Sequence, residues 1–163
     1  ELHACGRLRH PTLNPETRMR FVQLLLRSAA PLALATLPAL AQNAPVPVGT
    51  SSATLTPAWR VGNTVYTSGQ LGLSRDPADS TIERQTTLTL NNIKSVLEQA
   101  GTRMDLAVKC TVYLVDAADF RGMNSVYSTY WPNGKPPARS TVVLKALVVA
   151  NAKIEIDCIA VMP

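Results

Sequence analysis

The chain has 163 residues, enough for one domain and an additional segment, and its hydrophobic content of 46% favours a packed core over disorder. A net charge of +5 suggests nucleic-acid binding, but five arginines and two glutamates within residues 1–41 account for +3 of it. The remaining 11 basic and 9 acidic side chains form no Lys/Arg run. We therefore expect no nucleic-acid partner.

Both histidines, His3 and His10, lie in that leading segment. Without it the sequence contains no histidine, which excludes Ser-His-Asp and Cys-His nucleophile systems and most catalytic zinc sites. Chemistry would then rely on carboxylate, guanidinium, hydroxyl, thiol, backbone and water. We expect neither a cofactor nor a metal.

Residues 19–41 have the pattern of a secretory signal peptide. Met19 opens a short basic region that ends at Arg27, and an apolar stretch follows as far as an A-x-A end before Gln42. The signal-peptide pattern predicts a periplasmic or secreted protein. Because the apolar stretch is shorter than a typical membrane span, we expect no stable membrane anchor after cleavage. The alternative is an amphipathic extension that stays on a cytoplasmic protein.

The predicted signal peptide separates three other segments of the chain. Residues 1–18 would be upstream sequence that is not part of the native mature protein. Residues 42–53, rich in proline and alanine at their start, are predicted to be a flexible linker, and residues 54–163 the folded domain.

The domain opens with strand and helix patterns. Strand-like runs Trp59–Val61 and Thr64–Ser68 flank the tight-turn pair Gly62-Asn63. Ser80-Thr81-Ile82-Glu83 is a capping box, and the apolar spacing behind it predicts a helix up to Gly101, which suits a C′ position.

The second half alternates again between strand and helix. Residues 108–115 have a strand pattern, Asp116 can cap a second helix, and the proline-rich segment 131–137 predicts a loop. Residues 140–148 and 153–161 are predicted strands, joined as a hairpin. The order ββαβαββ predicts an α+β two-layer sandwich, a mixed sheet with two helices on one face.

Two charged residues are candidates for chemistry. Arg139 follows Pro136-Pro137-Ala138 at the start of a strand, where a rigid approach suits capture of a planar carboxylate. Glu155 shares a strand face with Lys153 and Asp157, which indicates a site, a subunit interface or simply solvent. The alternative for Arg139 is an ordinary surface arginine.

Cys110 and Cys158 both have apolar neighbours on their strands. We interpret them as buried free thiols. A disulfide would need an oxidising compartment and Cα atoms that come close together, which sequence cannot show.

Several segments in unbroken order over about residues 55 to 162 resemble the RidA/YjgF family. They are Val61–Gln70, Asn91–Lys94 with Leu97–Gly101, Val108–Leu114, Phe120 with Met123-Asn124 and Tyr127, Pro137–Ser140, and Ile154–Ile156. The resemblance implies a chorismate-mutase-like subunit, a homotrimer and sites in clefts between subunits. It further implies cofactor-free hydrolysis of reactive 2-imino or 2-enamino acids to 2-oxo acids and ammonia, the reaction of a 2-iminobutanoate/2-iminopropanoate deaminase.

Residue roles follow from the same resemblance. Arg139 would hold the substrate carboxylate, and Glu155 would orient the attacking water. Ser68, with the adjoining Gly69, would line the pocket. Asn124 matches an asparagine near the subunit interface.

The sequence departs from the family pattern at two positions. Thr141 stands where the family commonly has a pocket cysteine, although its backbone amide could still bind a carboxylate. Leu55 or Thr56 falls where the family has a tyrosine. These changes leave open a non-catalytic small-carboxylate binding protein of the same fold, and a ribonuclease as a third reading.

Overall fold

The computed structural model describes residues 43–74, 76, 80–131 and 133–163. The predicted signal peptide and the segment ahead of it lie outside the described residues. The described strands are β1 (Val46–Val48), β2 (Ala58–Val61), β3 (Thr64–Thr67), β4 (Gln70–Leu71), β5 (Ala107–Leu114), β6 (Ala138–Val143) and β7 (Ile154–Val161). The helices are α1 (Ile82–Gln99) and α2 (Phe120–Tyr127), with short 3-10 segments at Met104–Leu106, Ala117–Asp119 and Ser128–Tyr130.

The strands form one mixed sheet. Its order is β1-β2-β3-β7-β5-β6, and β4 pairs with the beginning of β7. Every pairing is antiparallel except that of β5 with β6. The predicted α+β architecture is confirmed.

The predicted linker contains a strand. Val46–Val48 pairs with Ala58–Val61, so the expectation of a flexible segment over residues 42–53 is wrong for these three residues. A three-residue strand that contains Pro47 has too little alternation to be recognised in a sequence, and an edge position tolerates proline.

The predicted hairpin between the last two long strands is also wrong. β5 lies between β6 and β7, and β6 runs parallel to β5. A parallel neighbour needs a crossover connection, which the β5-α2-β6 segment supplies. Beyond β6 the chain crosses back, and the Val115 N–H donates to the Lys153 carbonyl at 3.1 Å where β7 is about to begin.

The core lies between one face of the sheet and the two helices. Strand β7 alternates strictly, with its even-numbered residues buried and its odd-numbered residues half-buried on the other face. Gln85 of α1, only 2% exposed, joins the layers because its amide donates to the Asn151 carbonyl at 2.9 Å and accepts from the Lys153 N–H at 2.8 Å. The fully buried core residues include Val65, Leu90, Ile93, Leu97, Val112, Leu114, Met123, Ile154 and Ile156.

Cys110 and Cys158 form a disulfide in this core, so the prediction of free thiols is wrong. They are direct partners in the β5–β7 pairing, with their Cα atoms 4.1 Å apart. Alternation correctly placed both side chains on the buried face. The sequence did not reveal that the two strands are neighbours, because pairing between distant segments leaves no local pattern.

The opposite face of the sheet is not covered by any other described part of the chain. It carries large apolar side chains, among them Trp59 at 42% exposure, Tyr66 at 47% and Val142 at 40%. A sheet with apolar side chains on both faces is typical of a protein whose second face meets a partner.

Candidate functional site

Arg139 lies in the edge strand β6 and turns toward the helical layer. It is the strand partner of Cys110, whose side chain is fully buried beneath the helices. Its Nη1 donates to Asn124 Oδ1 at 2.7 Å, and its Cζ lies 4.7 Å from the ring centroid of Tyr127 and 5.8 Å from that of Phe120. Arg139 and Asn124, which the sequence singled out separately, are therefore in direct contact.

An open cleft of about 400 Å³ lies against this arginine. The two prolines that precede β6 form one wall, and α2 and the residue after it form the other. Within the described part of the chain, Arg139 has no carboxylate partner. A half-buried cation of this kind suits an anion from outside the chain. The lining residues are Asn124, Tyr127, Ser128, Pro136, Pro137 and Arg139.

Thr141 lies two residues along β6 and therefore on the same face as Arg139. Its hydroxyl is buried and has no hydrogen-bond partner among the described residues. We refer to Arg139, Asn124, Tyr127 and Thr141 as the arginine cluster.

Glu155 occupies the other face of the sheet. It pairs with Tyr113 of β5 on one side and Leu71 of β4 on the other. Burial raises the pKa of its carboxyl group above the ordinary value, and the negative charge of Asp157 raises it further. A carboxylate with a raised pKa is a better proton acceptor than an exposed one.

Gly69 lies directly against this carboxylate. A methyl group at Gly69 would overlap the Glu155 carboxylate, with the glutamate Cδ 2.8 Å from the added carbon. The glycine thus lets the acidic side chain approach the backbone. Ser68, the residue before Gly69, donates a hydrogen bond from its hydroxyl to the Thr56 carbonyl at 2.6 Å, so this hydroxyl is already engaged within the chain. Glu155, Gly69 and Ser68 form the glutamate cluster.

The two clusters do not meet within one chain. Arg139 pairs with Cys110, which pairs with Cys158, and Glu155 lies three residues before Cys158 in β7. Two strand spacings and three residues of rise separate the Cα atoms by roughly 14 Å. The side chains also project from opposite faces, so one copy of the chain does not bring Arg139 and Glu155 to one substrate.

The sequence predicted no site role for Tyr127, Phe120 or Asp157. In the sequence, Phe120 and Tyr127 stand only among the residues that carry the family resemblance. The signal that could have found them is their helical spacing with Asn124, since residues three and four apart share a helix face. Nothing local predicts that Arg139 comes to that face.

The described residues contain no group of three or more His, Cys, Asp or Glu side chains placed to hold a metal ion. Their helices are also too short or too polar to cross a bilayer.

The fold and the arginine cleft define a class, the two-layer α+β proteins with a mixed sheet and an open cleft beside its edge strand. Comparison with known proteins gives the family. The family model described as Endoribonuclease L-PSP matches residues 42–162, and the chain belongs to this family, which includes the RidA/YjgF proteins.

Individual relatives agree. A RutC family protein of Saccharolobus solfataricus is 41% identical over 122 residues, covering 73% of this chain and 92% of the relative. Reactive Intermediate Deaminase A, chloroplastic, of Arabidopsis thaliana is 40% identical over 106 residues, covering 63% of this chain and 56% of the relative.

Solved structures agree as well. Yeast Mmf1 superposes with a TM-score of 0.67 at 30% identity, covering 74% of this chain and all (100%) of Mmf1. The Rid family protein YyfA of Yersinia pestis superposes with a TM-score of 0.67 at 32% identity, covering 73% of this chain and 100% of YyfA.

Proposed function

We propose that the protein hydrolyses reactive 2-imino and 2-enamino acids to 2-oxo acids and ammonia without a cofactor. The observation that carries this proposal is Arg139, a half-buried guanidinium that faces a cleft and has no carboxylate partner among the described residues. The relative named Reactive Intermediate Deaminase A supports the same class of reaction.

The reaction needs few groups. Arg139 would bind the carboxylate of the imino acid in bidentate fashion through the N–H groups that Asn124 and Met123 leave free. Water adds to the imine carbon, a proton moves to the imine nitrogen, and the C–N bond breaks to release ammonia and the 2-oxo acid. An enamine first takes up a proton at carbon and releases one from nitrogen, and so becomes the imine. Hydrolysis of an imine is undemanding, so positioning of substrate and water supplies much of the rate.

Glu155 would orient the water and take its proton. Its raised pKa suits proton transfer near neutral pH better than that of an exposed carboxylate. Because Glu155 and Arg139 are on opposite faces in one chain, the proposal requires that a substrate meet Arg139 of one copy and Glu155 of another.

A homotrimer with sites between its copies satisfies that requirement. The uncovered sheet face with Trp59, Tyr66 and Val142 supports an assembly through this face. The apolar side chains there would be buried in the complex, which places the glutamate cluster at the boundary between two copies.

The test is ammonia release from imines generated in situ by an amino-acid oxidase, with wild type, Arg139→Ala and Arg121→Ala. Arg121 is an exposed arginine on the same helix as Asn124 and does not line the cleft, so it is the matched control. We expect Arg139→Ala to lose at least about 100-fold in kcat/KM, since the charge-assisted contacts disappear. Wild-type rates in Arg139→Ala would refute the proposal.

A second candidate is a binding protein for small carboxylates. It is favoured by the separation of the two clusters and by Leu55 and Thr56 at the position of the family tyrosine. Binding of 2-oxobutanoate, lost in Arg139→Ala, together with absence of turnover over the imine panel would establish it in place of the deaminase.

We further propose that the protein is exported. Two observations support export. Residues 19–41 have the pattern of a signal peptide. Cys110 and Cys158 form a disulfide, and disulfides persist in oxidising compartments. Mass spectrometry of protein from its native host should find an N-terminus at or near Gln42. A mature form that starts earlier and stays in the cytoplasm would contradict export.

A further inference from the structure

We propose that Tyr127 is a positioning residue for Arg139. Its ring, assisted by that of Phe120, would support the guanidinium on one side and keep the free edge of the guanidinium turned toward the cleft. The effect of Tyr127 on carboxylate binding by Arg139 rests on the proposed function. Its effect on the orientation of the Arg139 guanidinium is independent of that function.

Four residues on one face of α2 contact the guanidinium, and one of them is Met123, whose Sδ accepts from Arg139 Nη1 at 3.8 Å. The Tyr127 and Phe120 rings lie 4.7 and 5.8 Å from Cζ, both within the range of a cation–π contact, and Asn124 accepts a hydrogen bond at 2.7 Å. Because they are spaced three and four residues apart on a single helix, they hold the arginine from a rigid element.

Tyr127 is itself held firmly. Its side chain is 4% exposed, and its ring stacks on Trp131 with the centroids 4.4 Å apart. The Trp131 indole N–H donates to the Met104 carbonyl at 3.3 Å, which fixes that ring as well. Phe120 is 44% exposed and is therefore the weaker support.

An aromatic support has an advantage over an acidic one. A carboxylate against Arg139 would neutralise the guanidinium and compete with the carboxylate of a substrate. A ring face stabilises the cation and leaves its charge available to an incoming anion. This accounts for a half-buried arginine without an acidic partner among the described residues.

The ring, rather than the hydroxyl, carries this role. The Tyr127 hydroxyl is buried and has no partner among the described residues. Burial raises the pKa of the phenol to about 12, so it stays neutral. Phenylalanine at this position should therefore support the arginine, whereas leucine should not.

The first experiment compares Tyr127→Leu, Tyr127→Phe and Tyr130→Leu in the imine assay and in thermal melts. Tyr130 packs near the same tryptophan, but its hydroxyl bonds to Thr87 and Asn91 and no contact with Arg139 is present. We expect KM in Tyr127→Leu to rise roughly 3- to 10-fold with kcat little changed. Tyr127→Phe should restore KM to near the wild-type value, and Tyr130→Leu should lower Tm with no rise in KM.

The second experiment needs neither substrate nor turnover. In a ¹⁵N–¹H spectrum, the Arg139 Nε–H peak, identified by its loss in Arg139→Ala, should show a ring-current shift that Tyr127→Leu removes and Tyr127→Phe retains. Should Tyr127→Leu fail to fold, Phe120→Leu at the more exposed ring should remove part of the shift.

The outcomes separate the two proposals. An unchanged peak and unchanged 2-oxobutanoate affinity in a folded Tyr127→Leu protein would overturn the positioning role. A shifted peak in a protein that hydrolyses no imine would overturn only the deaminase.

Discussion

At the scale of single residues, the position of the Glu155 carboxylate depends on Gly69 having no side chain. Gly69 has room for no methyl group, because the Glu155 carboxylate occupies that space. The backbone there has no positive φ, so alanine would be accepted by the chain itself and would act only by displacing the glutamate.

We therefore predict that Gly69→Ala lowers kcat by about 10- to 100-fold, as expected for a displaced catalytic group. The measurement is steady-state kinetics on the imine panel. In a Glu155→Gln background, Gly69→Ala should lower kcat no further, since both substitutions remove the same function, that of the Glu155 carboxylate. A full additive loss in the double variant would show that Gly69 acts independently of Glu155.

The pH dependence of the reaction tests the role of Asp157. If ionised Glu155 accepts a proton, activity falls as the pH drops through its raised pKa. Asp157→Asn removes the second cause of that elevation and leaves the first, burial, in place. We expect the acid limb of kcat to move to lower pH.

The control for this prediction is Asp105→Asn. Asp105 is an exposed residue that pairs with Arg103 at 2.7 Å, and the substitution should leave the acid limb unchanged. An acid limb that stays in place or moves to higher pH in Asp157→Asn would contradict the assignment of Glu155 as the proton acceptor.

At the scale of elements, the disulfide joins the two longest strands at the centre of the sheet. Cys110 and Cys158 are 48 residues apart in sequence, and closing a loop of that length restricts the unfolded chain. We predict that reduction lowers the free energy of unfolding by about 4 kcal/mol. Denaturant titrations with and without reductant measure this difference.

The control for reduction is the double variant Cys110→Ala/Cys158→Ala. It should unfold identically with and without reductant, and peptide mapping of wild type should recover the two cysteine peptides linked. Equal stability of wild type in both conditions would show that the bond does not form in solution.

Local sequence patterns predicted the helices and strands well. They did not predict which distant strands pair. Helix α1 begins at Ile82, two residues after Ser80, the first residue of the predicted capping box. Its N-cap is Thr81, one residue later than predicted, and the Thr81 hydroxyl accepts from the Arg84 N–H. Gly101 has the positive φ of 84° expected after a helix. These features depend on neighbouring residues. The placement of β5 between β6 and β7 depends on tertiary packing and left no such mark.

The same distinction holds for the site. The resemblance named Arg139, Asn124 and Glu155, and the structure brings the first two together. Alternation places Glu155 on the face opposite its buried neighbours, but the face that Arg139 takes is set by the register of β6 against β5, which the sequence does not show. The aromatic support of Arg139 was missed for the same reason.

At the scale of the whole molecule, the separation of the clusters predicts that activity depends on assembly. Val142→Glu puts a charge on the uncovered sheet face, where a trimer would bury it. We expect this variant to be a folded monomer by light scattering and circular dichroism, and to be inactive. Val148→Glu, at a residue 96% exposed outside the strands, should remain assembled and active.

Mixed assemblies test directly whether the site is shared between copies. Arg139→Ala and Glu155→Gln proteins are each inactive in the proposed mechanism, but an interface formed between them can join an intact Arg139 to an intact Glu155. After unfolding and refolding an equal mixture, a random assembly should regain about a quarter of the wild-type activity. The same proteins refolded separately and then combined provide the control and should stay inactive. No recovery in a mixture shown to contain hybrid trimers would mean that both residues of a working site come from one chain, which the opposite faces of β6 and β7 argue against.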